Sequence, residues 1–348
     1  MARVHLLNVG EGDCTIIEHD SGRRSMIDIC SGNYNDHRLG MNLRTAIRDP
    51  MAVINSREDV SLRSGMKAAI SNSFGNYGMK NKPTNPVLYL ESKLVSREIF
   101  RFILTHPDMD HMDGFDQLIS RIGINCFWDS GVRRAKPDFN CGRYEESDWD
   151  RYCHVRDDQE HGVKVLGVGA GHRFKYANWS EDGSFDDDGL YILAPNRKLV
   201  NQSILTGNMN DGSYVLLFKS AGGDMIFAGD AHDKTWEYVI ENHSDDIKNC
   251  KFLLAPHHGR ESSGNFDFLD VIQPALTLIG CAKSEHLAYQ KWEQRGLKFY
   301  TQNQCGNMII DTANGKFTIY IENETFARNC QSQTFQDTFS GYYYLDSV

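Results

Sequence analysis

The sequence predicts a layered α/β domain. Apolar runs of strand length come in meander groups, with helix-compatible stretches between them. Gly, Ser and Asp punctuate the runs at turn positions. Three runs end abruptly in segments rich in His and Asp, and loops that follow strands are where a layered sheet protein carries its chemistry.

The chain opens with an apolar run from Arg3 to Val9, broken by Gly10-Glu-Gly-Asp13. Cys14 to Glu18 and Ser25 to Ile29 read as the next two strands, with Ser21-Gly22 as the turn between them. Phe100 to Thr105 is a buried strand, Gly114 to Ile122 a helix and Asn125 to Trp128 a further strand. Tyr144 to Glu160 is helix-compatible. Tyr191 to Ala194, Ser213 to Phe218, Asp224 to Ala228 and Phe252 to Ala255 read as strands, and Lys234 to Glu241 as a helix. Ala275 to Ile279, Lys298 to Thr301, Gly306 to Asp311 and Phe317 to Ile321 complete the sheet content.

Two stretches interrupt this rhythm. Residues 33–86 hold two helix-compatible patterns, Arg38 to Ile54 and Asp59 to Ile70, and then a loop-like run from Ser71 to Pro86. This stretch has eight basic and four acidic residues inside a chain of net charge −10, so it reads as a basic insertion or lid. A solvated helical cover with no role in binding fits the same composition. Residues 131–188 read as a polar insertion, closed by the acidic run Asp186-Asp187-Asp188, expected to be a solvated turn. Residues 1–322 are therefore expected to form one domain with two insertions, and 323–348 a C-terminal tail.

Composition narrows the function. With 348 residues, 40% hydrophobic and 24% charged, the chain can bury a large core and is not of a disordered type. A net charge of −10 argues against a surface built for general nucleic-acid or membrane binding, although a locally basic groove is compatible with it. No apolar run approaches the ~18–20 residues of a membrane span. The first residues read as a strand rather than a secretory signal, and the nine Cys include no C-x-x-C pair. A cytoplasmic, reducing location is the expectation.

The strongest chemical signal is Thr105-His106-Pro107-Asp108-Met109-Asp110-His111, which puts four potential ligands within six residues after an apolar strand. Imidazole and carboxylate are the ligands of hydrolytic metals, and a tight turn on a rigid strand converges them at little entropic cost. A surface turn with incidental charges would not need that spacing. The strand Asp224 to Ala228 then ends in Gly229-Asp230, and Phe252 to Ala255 ends in Pro256-His257-His258-Gly259. Alone, a Gly-Asp turn is common and a His pair only moderately specific.

Together and in this order, the three segments resemble the metallo-β-lactamase superfamily, whose familiar pattern is H-x-H-x-D-H, a bridging Asp and a last His. This chain carries H-x-D-x-D-H instead. That variant, the His257-His258-Gly259 element, Val9-Gly-Glu-Gly-Asp13 and Asn210-Asp-Gly-Ser213 resemble the soluble hydrolase domain of ComEC-type DNA-uptake proteins, over roughly residues 3–322. The resemblance implies a four-layer αββα sandwich with two insertions and a pair of divalent metal ions. Site one would take His106 and Asp108, and site two would take Asp110, His111 and one of His257 and His258, with His258 favoured. Asp230 would bridge, and His257 would support the centre or handle protons. The third site-one His of many relatives has no clear counterpart, and Asn208 or Asn210 falls in that region. Oxygen-rich ligation puts Mn beside Zn as the expected metal, with Mg possible.

The expected activity is hydrolysis by metal-activated water, with Asp110 or Asp230 orienting the water. Arg260 is a candidate phosphate clamp, Ser262 and Ser263 candidate hydrogen-bond donors, and His286 a candidate late active-site His. The expected substrate is a phosphodiester in DNA, RNA or a nucleotide. A lactone, thioester or β-lactam hydrolase is the alternative, since one fold hosts many chemistries, and a non-catalytic metal-stabilised binding module is a third reading. No membrane association is expected, and no protein partner is indicated.

Overall fold

Alternation along the first strands builds two cores at once. The structure, a computed structural model, describes residues 1–31, 76–94, 98–140, 142–172, 188–283 and 286–348. In β2 (Thr15–Glu18), Ile17 points to one cluster of buried side chains and Ile16 to another. In β4 (Ile99–Leu104), Ile103 follows Ile17, while Phe102 and Leu104 follow Ile16. In β5 (Ile124–Asp129), Cys126 and Trp128 face inward and Phe127 outward. A strand turns its side chains to opposite faces in alternation, so a sheet apolar on both faces must be covered on both.

That sheet has nine strands. β1 (Arg3–Leu6) lies between β2 and β13 (Met308–Ala313), which continues to β14 (Lys316–Ile321) and β15 (Tyr343–Ser347). On the other side come β3 (Arg24–Ile27), β4, β5 and β6 (Lys164–Gly167), with β3 to β6 parallel. The second sheet has six strands: β7 (Leu190–Ala194), β8 (Val215–Ser220), β9 (Gly223–Phe227), β10 (Cys250–Leu254), β11 (Leu276–Ile279) and β12 (Phe299–Thr301). From β9 to β12 its strands run parallel.

The central core joins the two sheets, with Val4, Ile103 and Ile310 meeting Leu216, Phe227, Phe252 and Leu278. Outside the first sheet pack α1 (Pro86–Lys93), α2 (Phe115–Arg121) and α3 (Glu146–Arg156), through Leu90, Phe115, Trp149 and Tyr152. Outside the second pack α4 (Arg197–Thr206), α5 (Asp233–Ile247), α6 (Phe268–Ile272) and α7 (Tyr289–Glu293), through Leu199, Trp236, Leu269 and Trp292. The fold is thus two sheets face to face with helices on both outer faces, the four-layer αββα sandwich expected. Among the described residues no helix is long and apolar enough to cross a membrane.

Three expectations change. Residues 323–348, read as a tail, instead supply α9 (Glu324–Cys330) and β15, which closes the edge of the nine-stranded sheet through pairs such as Thr318 with Ser347. The helix α8 (Gln302–Cys305) between β12 and β13 carries a capping box from Thr301 and Gln304. Within the stretch 131–188, read as an insertion, α3 covers the sheet and β6 extends it. Most of the basic stretch, residues 32–75, lies outside the described residues. Its end is docked: Asn8 Nδ2 donates to the Met79 carbonyl at 2.6 Å, and Thr84 N donates to the Asn8 carbonyl at 2.7 Å.

Asp188 is the third correction. Asp186 and Asp187 fall outside the described residues, but Asp188 is buried between the sheets rather than solvated. Its Oδ2 pairs with Arg101 Nη2 at 2.6 Å and its Oδ1 with Arg23 Nη2 at 2.9 Å. Arg101 is itself fully buried and donates from Nη1 to Ser25 Oγ at 2.7 Å. A guanidinium with no access to water needs an opposite charge, and the chain brings one from across the sandwich. Burial, with Arg101 beside it, lowers the pKa of His19 to about 3, so the network holds that ring neutral.

Asp188→Ala leaves Arg101 charged and uncompensated in the core. Urea unfolding should register a loss of about 3–5 kcal/mol. A loss under about 1 kcal/mol would show that the pair is not needed to bury Arg101.

Candidate metal centre

The parallel strands of both sheets end at one rim, and each candidate ligand follows such an end. β4 runs into Thr105-His106, β9 into Gly229-Asp230, and β10 into His257-His258. β3 ends just before Asp28, and the loop after β1 delivers Asp13. Backbone bonds tie the rim together: Tyr214 N donates to the Thr105 carbonyl at 3.0 Å, and His257 N to the Gly229 carbonyl at 2.9 Å. Gly229 is required here. Its φ is +47°, and a Cβ would sit 2.5 Å from Ser213 Oγ and 2.7 Å from Thr105 Cβ. Gly12 plays the same part on the N-terminal loop, where a Cβ would run into the Asp110 carbonyl and Cys30. His257 and His258 both adopt left-handed backbone, at φ 50° and 56°, a strained choice for non-glycine residues.

His106, His111, His258 and Asp230 are buried and meet at Asp230. Asp230 Oδ1 lies 3.2 Å from His111 Nε2 and 3.6 Å from His258 Nε2. Asp230 Oδ2 lies 3.8 Å from His106 Nε2 and 3.5 Å from His257 Nε2. Asp110 Oδ2 is 3.7 Å from His258 Nε2, and Asp108 Oδ2 is 3.7 Å from His106 Nε2. His106, His111 and Asp230 form one group able to hold a cation; Asp110, His111 and His258 form a second, and Asp13, Asp230 and His258 a third.

Nε2 of His106, His111 and His258, together with Asp230 Oδ1 and Asp13 Oδ2, are buried and have no hydrogen-bond partner among the described residues. Each outward Nδ1 of these three rings, in contrast, has an acceptor. His111 Nδ1 donates to Asp28 Oδ2 at 2.8 Å, and His258 Nδ1 to Asp13 Oδ1 at 3.2 Å. Thr105 Oγ1 donates its hydrogen bond to Asp28 Oδ2 at 2.7 Å and so accepts one from His106 Nδ1–H at 3.1 Å. With Nδ1 protonated, Nε2 of each neutral ring carries a lone pair directed at the same point. This donor set fits divalent cations.

The charge balance agrees. Burial would lower the pKa of His111, but Asp230 and Asp28 hold it well above the ordinary imidazole range. Burial opposes His258 too, yet Asp13, Asp230 and Asp110 push its pKa up to about 10. Burial would raise Asp230, and His111 and His258 instead hold it well below the ordinary carboxyl range. Burial would also raise Asp110 and Asp108; His258 and His111 hold the first down, and His106 and Arg134 the second. Without metal, protons supply the positive charge this pocket lacks.

Five of the expected ligands, His106, Asp110, His111, Asp230 and His258, therefore join metal-capable groups, while Asp108 lies beside His106 but is paired with Arg134 and joins none of these groups among the described residues. His257 also faces Asp230, while burial brings its pKa down to about 4. Arg260 follows the His pair, half-buried, and its strand bridge with Leu287 brings the 286–288 segment alongside. His286 is exposed on that segment and joins none of the metal-capable groups among the described residues. Ser262 is exposed, with Oγ 3.3 Å from His257 Nδ1; the Ser263 side chain lies outside the described residues. Asn210 contacts His232, and Asn208 donates to Asp211, so the described contacts of both run to those neighbours. Sequence reasoning missed Asp28, His232 and Arg134 and gave Asp13 no role; Arg134 forms an ion pair with Asp108.

No family model matches the chain, and no curated protein does. Solved structures give weak likenesses. Igni18, a metallo hydrolase from Ignicoccus hospitalis, is 16% identical with a TM-score of 0.42, covering 86% of this chain and 94% of that one. A diphosphatase of the PhnP family is 12% identical with a TM-score of 0.37, covering 86% and 95%. CmlA, a diiron β-hydroxylase from Streptomyces venezuelae, is 10% identical with a TM-score of 0.37, covering 85% of this chain and 52% of that one.

Two outcomes test this geometry. Gly229→Ala should cost about 1–3 kcal/mol in urea unfolding, because a methyl group has no room there; an unchanged midpoint would contradict the close approach. In metal-free protein, the His258 pKa of about 10 lies above the ordinary 6.5. A raised imidazole pKa stabilises fully below 6.5, and this contribution is lost as pH rises through 10. Chelator-treated protein should accordingly lose thermal stability between those two values, and a flat profile would contradict the assignment.

Proposed function

We propose that this chain is a metal-dependent hydrolase that holds two divalent cations, Mn or Zn, and cleaves phosphodiesters in DNA, RNA or a nucleotide. One observation carries the metal reading: three imidazole lone pairs and a carboxylate oxygen, all buried and unsatisfied, point at one place. A buried polar atom without a partner is costly, and several that converge imply a ligand that satisfies them together.

In this reading site one takes His106 and Asp108, and site two takes Asp110, His111 and His258. Asp230 serves both, since Oδ2 faces His106 while Oδ1 faces His111 and His258. When bound, such a pair of cations supplies a water acidified toward neutral pH and positive charge on both sides of an in-line displacement. Asp13 and Asp28 hold the rings of His258 and His111 in the required tautomer. Asp110, partly exposed beside His258, orients the water. His257, neutral at pH 7 with Nε2 3.5 Å from Asp230 Oδ2, is placed to take a proton.

The phosphate part of the reading rests on positive charge at the rim and on the ComEC-type motif. Arg134, held against Asp108, and Arg260, near enough to His257 to help lower its pKa, bring two guanidinium groups to the rim. A planar guanidinium suits the non-bridging oxygens of a phosphate. A lactone, thioester or β-lactam has no comparable need. A single domain that includes the C-terminal strand, the basic stretch as a lid and a cytoplasmic location belong to the same proposal.

Elemental analysis of protein loaded with Mn or Zn should find two ions per chain. The loaded protein should hydrolyse bis(p-nitrophenyl) phosphate and single-stranded DNA or RNA, and Asp110→Ala should reduce that at least about 100-fold. Turnover of nitrocefin or a lactone without phosphodiester cleavage would overturn the substrate assignment, and binding without any turnover would favour a regulatory module. Asp28→Ala should keep the fold by circular dichroism yet weaken zinc binding about 10–100-fold in a chelator competition. Unchanged affinity would remove Asp28 from the centre.

A further inference from the structure

His232 is an imidazole at the rim without a role in the ligand set. It is the N-cap residue of α5, two residues past Asp230, but its side chain makes no capping bond. Its ring turns to His257 instead, with Nε2 2.9 Å from His257 Nδ1 and the ring centroids 5.0 Å apart. Asn210 Nδ2 approaches the same Nε2 at 3.2 Å, from the turn Met209–Gly212.

The order of donors follows. An amide NH₂ group only donates, so His232 Nε2 accepts from Asn210 and carries no proton. The proton in the 2.9 Å contact is then on His257 Nδ1. A neutral imidazole has one N–H, so His257 Nε2 keeps a bare lone pair, and this atom faces Asp230 Oδ2 at 3.5 Å. Ser262 Oγ, 3.3 Å from His257 Nδ1, can share the same proton without reversing the order. The left-handed backbone at His257 adds a reason for an external holder, because the ring hangs from a conformation its own residue type disfavours.

We infer that His232 is a positioning residue: with Asn210 behind it, it fixes the tautomer and direction of His257 so that the Nε2 lone pair faces the Asp230 edge of the metal centre. It acts through His257 and need not touch substrate or cation. The kinetic consequence rests on the hydrolase reading; the tautomer does not.

The test uses full-length protein labelled with ¹⁵N-histidine and loaded with zinc, with His257 assigned by comparison with His257→Gln. Two-bond ¹H–¹⁵N correlation should show His257 in the Nδ1–H form. His232→Ala should convert it to a mixture of tautomers, and His232→Gln, whose Oε1 accepts the same proton, should restore it. Asn210→Asp should reverse the order, because a carboxylate takes a proton from His232 Nε2. On bis(p-nitrophenyl) phosphate, His232→Ala should lower kcat about 10–100-fold with KM and bound zinc unchanged, and His232→Gln should recover most of the loss. A wild-type His257 in the Nε2–H form would overturn the inference, as would a His232→Ala protein that keeps the wild-type tautomer. Zinc lost from His232→Ala would overturn it differently, by making His232 part of metal retention. If wild-type protein binds no metal and cleaves nothing, the hydrolase reading fails, and the tautomer measurement on metal-free protein still decides the role of His232.

Discussion

The rim depends on where three protons are kept. His106, His111 and His258 each donate an Nδ1–H hydrogen bond to an oxygen behind the ring, and that choice turns three Nε2 lone pairs to a common point. An imidazole held by one nitrogen has lost most of its freedom to rotate or change tautomer before any ligand arrives. The acceptors are not interchangeable. Asp28 serves His111 directly and His106 through Thr105, and it also takes the Thr105 backbone N–H at 2.7 Å. One side chain therefore orders two rings and the strand end that carries them. Asp28 can do this because its own backbone is left-handed, at φ 57°. A local strain of a kilocalorie or two there is offset by three hydrogen bonds.

The sandwich supplies what such a cluster cannot make for itself, which is proximity between residues distant in sequence. Asp13 and His258 are 245 positions apart yet share a hydrogen bond. They meet because β1 and β3 of one sheet and β10 of the other end at the same rim, held face to face by the core around Ile103, Phe227 and Phe252. Parallel strands send their C-terminal ends to one side, so β4, β9 and β10 each contribute a loop to that side without crossing the core. The ion pair of Arg101 and Asp188 locks the sandwich from within, while the hydrogen bonds of His111 to Asp28 and of His258 to Asp13 tie its rim.

What was legible in the chain was whatever is local. The turn from His106 to His111 announced itself because four ligand-type side chains fall within six residues of a strand end. Gly229-Asp230 was weaker in isolation, and the structure gives the glycine its physical reason in the absence of room for a Cβ. The holders were not legible, because a single Asp after a strand, as at Asp28, or a single His before a helix, as at His232, occurs throughout ordinary sequences. Only three-dimensional proximity distinguishes them. The same holds for Asp188, whose acidic neighbours in sequence suggested solvent while its true environment is a buried arginine. β15 was missed for a different reason. Tyr343-Tyr-Leu-Asp-Ser347 sits on a sheet edge with only Leu345 and Asp346 buried, so its pattern lacks the apolar density of the central strands.

Charge explains why the cluster calls for cations rather than for protons or water alone. Asp13, Asp28, Asp108, Asp110 and Asp230 surround three buried imidazoles, and neutral imidazoles bring no compensating charge. Protonating His111 and His258 reduces the imbalance, as their raised pKa values record, but spends the very lone pairs that Asp28 and Asp13 have aimed inward. A water molecule could accept or donate a few of the missing hydrogen bonds, yet it cannot offset several carboxylates packed around buried imidazoles. Divalent cations would do both, taking the lone pairs as ligands and offsetting the carboxylates around them. The proton and the cation thus compete for the same atoms, so binding must release protons and strengthen as pH rises.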